Sequence, residues 1–134
     1  MTISSFDDLL QAARHQTTPQ RLLFVLTAAG VPDDATPQER ARFQAGQGGT
    51  LTPLMCVDKA PEELTSFDAL LEESRQFEAP WHIVFVAALA GTGGRRPTTE
   101  DAEAPLQRMV EAIKSGRIDG YIPFDRQGQP VQFT

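Results

Sequence analysis

The stretch Gly91-Thr92-Gly93-Gly94-Arg95-Arg96-Pro97-Thr98-Thr99 is the part of this 134-residue chain best equipped to hold an anion. Glycines let backbone N–H groups approach a charged oxygen, a helix start carries partial positive charge, and two arginines can fork onto phosphate or carboxylate. The candidate anion-binding residues are therefore Gly93, Gly94, Arg95, Arg96 and Thr98. The run lacks the Lys-Ser/Thr pair of a P-loop and the GxGxxG spacing of a dinucleotide fingerprint. A plain solvated surface loop is the competing expectation. The corresponding loop in the first half, Gly30 to Ala35, carries Asp33 and Asp34 instead; the opposed charges reflect either divergence of exposed loops, the commoner case, or patches that pair between molecules.

Other residues invite chemistry more weakly. Asp58-Lys59 and Asp125-Arg126 are matched pairs, each at the end of an apolar segment, and strand-end carboxylates can hold a metal or move a proton. Turn chemistry accounts for them better, since Asp initiates turns. His15 and His82 are the two histidines, and with no cysteine beside either they make a poor zinc site. A GxSxG nucleophile elbow is absent. The single cysteine, Cys56, excludes an intramolecular disulfide, a CxxC redox pair and an all-cysteine metal site. Its place in an apolar segment predicts a buried, inert thiol. No catalytic set converges, so the sequence leans to a non-enzymatic binding or protein-interaction module without cofactor or metal. The partner is expected to be a protein, a second copy in a homodimer, or a small anion.

Composition narrows the classes. Twelve bases against eighteen acids give a net charge of -6, which argues against a general basic field for nucleic acid. The longest apolar runs, Leu22 to Ala29 and Ile83 to Ala90, fall far short of the roughly eighteen residues of a membrane helix. Met1 to Asp8 lacks a basic region followed by an apolar one, so the expected location is cytoplasmic.

The elements that must position these residues recur. Offset by 61 positions, residues 5–30 lie on 66–91 without a gap and share eleven of 26 residues, among them Phe6/Phe67, Asp7/Asp68, Arg14/Arg75, Pro19/Pro80 and Phe24/Phe85. Average residue usage gives about two by chance. Each copy opens with an amphipathic helix, Phe6-Leu9-Leu10-Ala13 and Phe67-Leu70-Leu71-Ser74, for which Ser4 and Thr65 are the expected N-caps with Asp7 and Asp68 three residues on. Leu22 to Leu26 and Ile83 to Ala87 then read as strands buried on both faces. Thr36-Pro37-Gln38-Glu39 starts a second helix in the first half, and about Ala102 to Ser115 forms its counterpart, with Gly116 as C-cap. Strands over Pro53–Lys59 and Gly120–Arg126 follow, the latter at an edge because Pro123 cannot donate.

The expected fold is thus α/β: a single layered domain over residues 1–134, with half-repeats at about 4–60 and 65–127. A mostly parallel sheet of four or five strands, joined by right-handed crossovers, is followed by a C-terminal β-hairpin through Val131-Gln132-Phe133.

The segments SFDDLLQAAR (residues 5–14), LTPLMCVDKAPEEL (51–64), ESRQF (73–77), DAEAPLQRMVEAI (101–113) and GYIPFDRQGQPVQ (120–132) together resemble a group of small bacterial proteins labelled ribonucleotide reductase subunit alpha. The label implies a radical-forming cysteine, a redox cysteine pair and a barrel several times larger. One cysteine in 134 residues supplies none of these, so no catalytic residue carries over from it. A fainter resemblance, in the strand-helix-strand order and FDRQGQP, is to thioredoxin-like domains, and it implies a binding version without the CxxC pair.

Overall fold

A computed structural model describes residues 5–31, 34–45, 50–64, 66–76 and 80–131. Its elements run in the order α1 (Phe6–Arg14), β1 (Gln20–Gly30), α2 (Pro37–Gln44), β2 (Thr50–Lys59), a 3-10 turn (Pro61–Glu63), α3 (Phe67–Ser74), β3 (Ile83–Ala90), α4 (Thr99–Lys114) and β4 (Ile122–Phe124).

The helix starts follow side-chain capping, one residue later than expected in the two amphipathic helices. Ser5 accepts from the Asp8 N–H at 3.2 Å and Ser66 from the Ala69 N–H at 3.3 Å, so these serines are the N-caps. The expected caps, Ser4 and Thr65, lie outside the described residues. Asp7 is therefore not part of a capping box. Its carboxylate accepts instead from the Phe67 N–H at 3.2 Å, tying the start of α3 to α1. Thr36 and Glu39 do form the reciprocal box at α2. At the end of α4, Gly116 takes φ +76°, and the Arg117 and Gly116 N–H groups bond back to the Ala112 and Ile113 carbonyls at 2.8 and 3.1 Å. This is the Schellman arrangement that a glycine C-cap allows.

All strands are antiparallel, in the order β2-β1-β3-β4, which corrects the expected mostly parallel sheet. The expectation took a continuous apolar run as the mark of a parallel strand. Here the middles of β1 and β3, Leu22–Leu26 and Val84–Val86, are apolar and buried because they are central and covered on both faces, which burial alone demands whatever the strand direction. A parallel crossover also needs a helix with a buried stripe to lie across the sheet. The α2 segment Pro-Gln-Glu-Arg-Ala-Arg-Phe-Gln has no buried residue, so the chain between β1 and β2 folds back to an adjacent antiparallel place. The edge strands are β2 and β4, with Pro53 and Pro123 in them. Among the described residues the C-terminal hairpin reduces to one bridge, Phe124 with Pro130; Gln132 and Phe133 of the expected strand lie outside the described residues.

Two cores flank the sheet. On one face α1 and α3 bury Phe6, Leu10, Phe67 and Leu70 against Leu22, Phe24, Leu26, Val84, Val86 and Phe124. On the other, α4 buries Ala102, Leu106, Met109 and Ile113 against Leu23, Val25 and Phe85. Gly128 links the C-terminal turn to the first core: its carbonyl accepts from the Phe6 N–H at 2.8 Å, and at φ +77° it lies where a Cβ would meet the Phe67 ring at 3.2 Å.

The gap-free offset of 61 meets this geometry unevenly. In the helices Phe6 and Phe67 share a core. In the strands Phe24 pairs with Val86 on the α1/α3 face, while Val25 pairs with Phe85 on the α4 face. The offset thus equates Phe24 with Phe85 across opposite faces, because one residue reverses the side-chain direction of a strand.

Candidate functional site

The glycines of the Gly91–Thr99 segment are explained by a tight turn. A Cβ on Gly91 would fall 1.9 Å from the Arg95 carbonyl oxygen, and Gly93 and Gly94 have φ of +58° and +75°. The Arg95 N–H closes the turn on the Thr92 carbonyl at 3.0 Å. Thr98 is the N-cap of α4: its hydroxyl accepts from the Asp101 N–H at 3.1 Å, and its own N–H donates to the Asp101 carboxylate at 2.9 Å. Arg96 is ion-paired with Glu62. Of the five candidate anion-binding residues, then, Thr98 and Arg96 are engaged by carboxylates of this chain. Arg95 is exposed, with no side-chain partner among the described residues.

These contacts belong to a polar cluster at one end of the sheet that short-range sequence patterns do not show. Arg21, at the start of β1, donates from Nε to the Asp58 carboxylate at 2.5 Å and from Nη2 to the Thr99 hydroxyl at 2.8 Å. Thr99 in turn donates to Asp58 at 2.9 Å. Arg21 and Asp58 side chains are only 13% and 15% exposed, so this closed triangle joins β1, β2 and the first turn of α4 in a largely dry setting. Asp58 thus acts as an anchor for α4. Arg14 donates to the Leu64 carbonyl at 2.6 Å and fixes the 3-10 turn beside it. Glu62, on that turn, has its carboxyl held below the usual glutamate value of 4.5. A hydrogen bond from its own backbone N–H is the leading cause; burial opposes it, and Arg96 and Arg14 assist. Between α1 and this turn lies a cavity of about 220 Å³ whose wall includes Arg14, Gln16, Gln20, Glu62 and Arg96.

The other sequence candidates are dispersed. His82 Nδ1 accepts from the Ala29 N–H at 2.9 Å and His15 Nδ1 lies 2.7 Å from the Gln11 carbonyl, both at exposed positions. No group of three metal-ligating side chains occurs among the described residues. Asp125 opens the C-terminal turn, accepting from the Gln127 and Gln129 N–H groups at 2.8 and 3.0 Å, as its turn preference foresaw. Cys56 is exposed, not buried, because β2 is an edge strand in which Thr50, Thr52, Leu54 and Cys56 alternate toward solvent. No described helix is long and apolar enough to cross a membrane.

A different feature stands open on the α1/α3 face. The β3–β4 ladder covers Val84–Val86 only, so Ala87–Ala90 of β3 have no strand on the side away from β1 among the described residues. Beside that open edge is an apolar notch of about 200 Å³, walled by Leu9 and Ala12 of α1, Leu22 of β1, Ala88 of β3 and Ile122 of β4. Ile122, 36% exposed, is one of the two large apolar side chains exposed among the described residues. Helical spacing places Leu9 and Ala13 in the core stripe of α1; the short β4 beside them depends on where Pro123 and the C-terminal turn halt the ladder. Comparison with protein-family models, with curated proteins and with solved structures finds no match for this chain.

Proposed function

We propose that this chain is a protein-interaction module that takes an extended, uncharged segment of a partner onto the open edge of β3. The observation that carries the reading is the coincidence of four β3 residues that have no strand on the side away from β1 among the described residues with an apolar notch on the same side. Strand addition draws affinity from main-chain hydrogen bonds and specificity from pockets that receive alternate side chains. A residue set opposite Ala88 falls two places beyond Ile122, which is opposite Val86, and therefore points to the same face as Ile122 and the notch. The notch is lined mostly by alanines, leucines, valine and isoleucine, with Gln16 and Gln20 also in its wall, which favours an apolar side chain there. By contrast the longer edge, β2, carries Pro53 and a register irregularity beside it, features that blunt strand pairing.

The test is an amide chemical-shift titration with the blocked peptide Val-Thr-Ile-Thr-Val. Shifts centred on Ala87–Ala90 and Ile122, abolished by Ala88→Glu and by a proline at the central peptide position, are expected. Shifts elsewhere, or none, end the proposal. Shifts that depend on the concentration of the protein alone identify a second copy as the occupant. The anion reading of the Gly91–Thr99 loop rests on Arg95 and requires Arg96 to leave Glu62; stabilisation by inorganic phosphate that is lost in an Arg95→Gln/Arg96→Gln variant is its signature.

A further inference from the structure

In a chain with eighteen acids and twelve bases, arginines are expected to find carboxylates, and Arg21 and Arg96 near the Gly-rich loop do. Arg108 and Arg117 do not. Neither side chain has a hydrogen bond or ion pair with a described residue, and both line the same cleft of about 590 Å³. That volume lies within the range of about 300–1,000 Å³ typical of small-molecule sites.

The local structure explains how they come together. Ala104, Arg108 and Ala112 are spaced four apart and form one ridge of α4, turned away from the buried Leu106, Met109 and Ile113. The positive φ of Gly116 folds the chain back, so that the Arg117 N–H reaches the Ala112 carbonyl at 2.8 Å and its side chain joins the ridge. Tyr121, set by its N–H bond to the Ile118 carbonyl at 3.2 Å, adds an aromatic wall. The one carboxylate in the lining, Glu111, lies 3.5 Å from Gln107 Nε2 and 3.9 Å from Lys114 Nζ. The last carbonyls of α4 are taken up by the Ser115, Gly116 and Arg117 N–H groups, which ties off the negative end of the helix. Two forked cations beside small alanines and a phenol ring match a phosphate or carboxylate carried on a flat apolar group.

We infer that the α4 cleft between Arg108, Arg117 and Tyr121 binds a small organic anion, an aryl or heterocyclic phosphate or carboxylate, independently of the β3 edge. Phenyl phosphate and benzoate serve as probes, with inorganic phosphate as the control for the charge alone. Thermal-shift and calorimetric titrations are expected to show phenyl phosphate stabilising the chain at millimolar concentration, more than inorganic phosphate does. The Arg108→Gln/Arg117→Gln variant is expected to keep the melting temperature of the unliganded parent, because both side chains are exposed and unpaired, and to lose about tenfold or more in affinity. In the parent, phenyl phosphate is expected to shift the Ala104 and Tyr121 resonances. No stabilisation by either organic probe overturns the inference. Unchanged affinity in the double variant overturns it as well. Loss of binding in Arg95→Gln/Arg96→Gln instead moves the anion to the Gly-rich loop and likewise overturns it.

Discussion

On the α1/α3 face five aromatic rings, Phe6, Phe24, Phe67, Trp81 and Phe124, close a core beneath two helices; on the α4 face one helix covers an aliphatic core with Phe85 as its buried ring. Phe6 is the hub of the first face: its ring centroid lies 5.9 Å from Phe24, 4.9 Å from Phe67 and 5.3 Å from Phe124. The polar groups there are also closed off. Ser74, buried in α3, accepts from the Trp81 Nε1–H at 2.9 Å and donates to the Leu71 carbonyl at 2.7 Å, while Arg126 lies 5.0 Å over the Trp81 ring. On the α4 face a single helix cannot cover the width of the sheet, and Ile83, Ala87, Leu89, Ile118 and Tyr121 remain only partly buried. The difference teaches that closure is uneven: two helices seal the aromatic core, and the openings lie at its margin, in the notch beside β3, and on the outer side of α4.

The largest test of that contrast is Phe6→Ala. Removing a fully buried ring with three aromatic neighbours is expected to cost about 3–5 kcal/mol in urea unfolding, and Met109→Ala on the other face less, toward the lower end of the about 2–5 kcal/mol typical of such truncations. Equal or reversed costs would break the comparison. Next comes Ser74→Ala, which leaves the indole N–H buried and unpaired and is expected to cost about 1–3 kcal/mol. A Ser74→Ala/Trp81→Phe variant, with both partners gone, is expected to recover part of the loss; no recovery would place the effect in packing instead. The smallest effect concerns acid. Glu39 and Glu62 both have pKa values lowered in the folded chain, Glu39 chiefly by the backbone N–H of Thr36 and Glu62 chiefly by its own. A lowered folded-state pKa gives stability that is present above the unfolded value and lost as pH falls through the folded one. Melting temperature should therefore fall as pH drops below about 4.5, and a Glu39→Gln/Glu62→Gln variant should show a shallower decline. Because both carboxylates are exposed, the change in slope is small. An unchanged slope would assign the acid response to other carboxylates.

Much of the local structure was legible. Thr36 with Glu39, Gly116 at the end of α4, and Asp125 at its turn are set by interactions within a few residues, and each is found where the sequence places it. Leu22–Leu26 and Ile83–Ala87 were recognisable as central strands because burial on both faces writes itself as an unbroken apolar run. The N-caps lie one residue further on because adjacent serines and threonines offer the same hydroxyl to the first turn, a choice that spacing alone does not make. The exposed Cys56 went unseen because exposure of an edge strand depends on which neighbour is missing, a property of the sheet as a whole.

The sequence by itself determined an acidic chain of 134 residues with alternating helices and strands, one cysteine and matched amphipathic helices, since composition, capping and periodicity act over a turn or two. Strand direction, the Arg21–Asp58–Thr99 triangle, the engagement of Arg96 and Thr98, and the lack of side-chain partners for Arg108 and Arg117 among the described residues were decided only by tertiary structure. Each of these depends on contacts between residues far apart in the chain or on the lack of such contacts. An apolar run is equally content in a parallel or antiparallel ladder until the connecting helix either packs across the sheet or, like α2, does not.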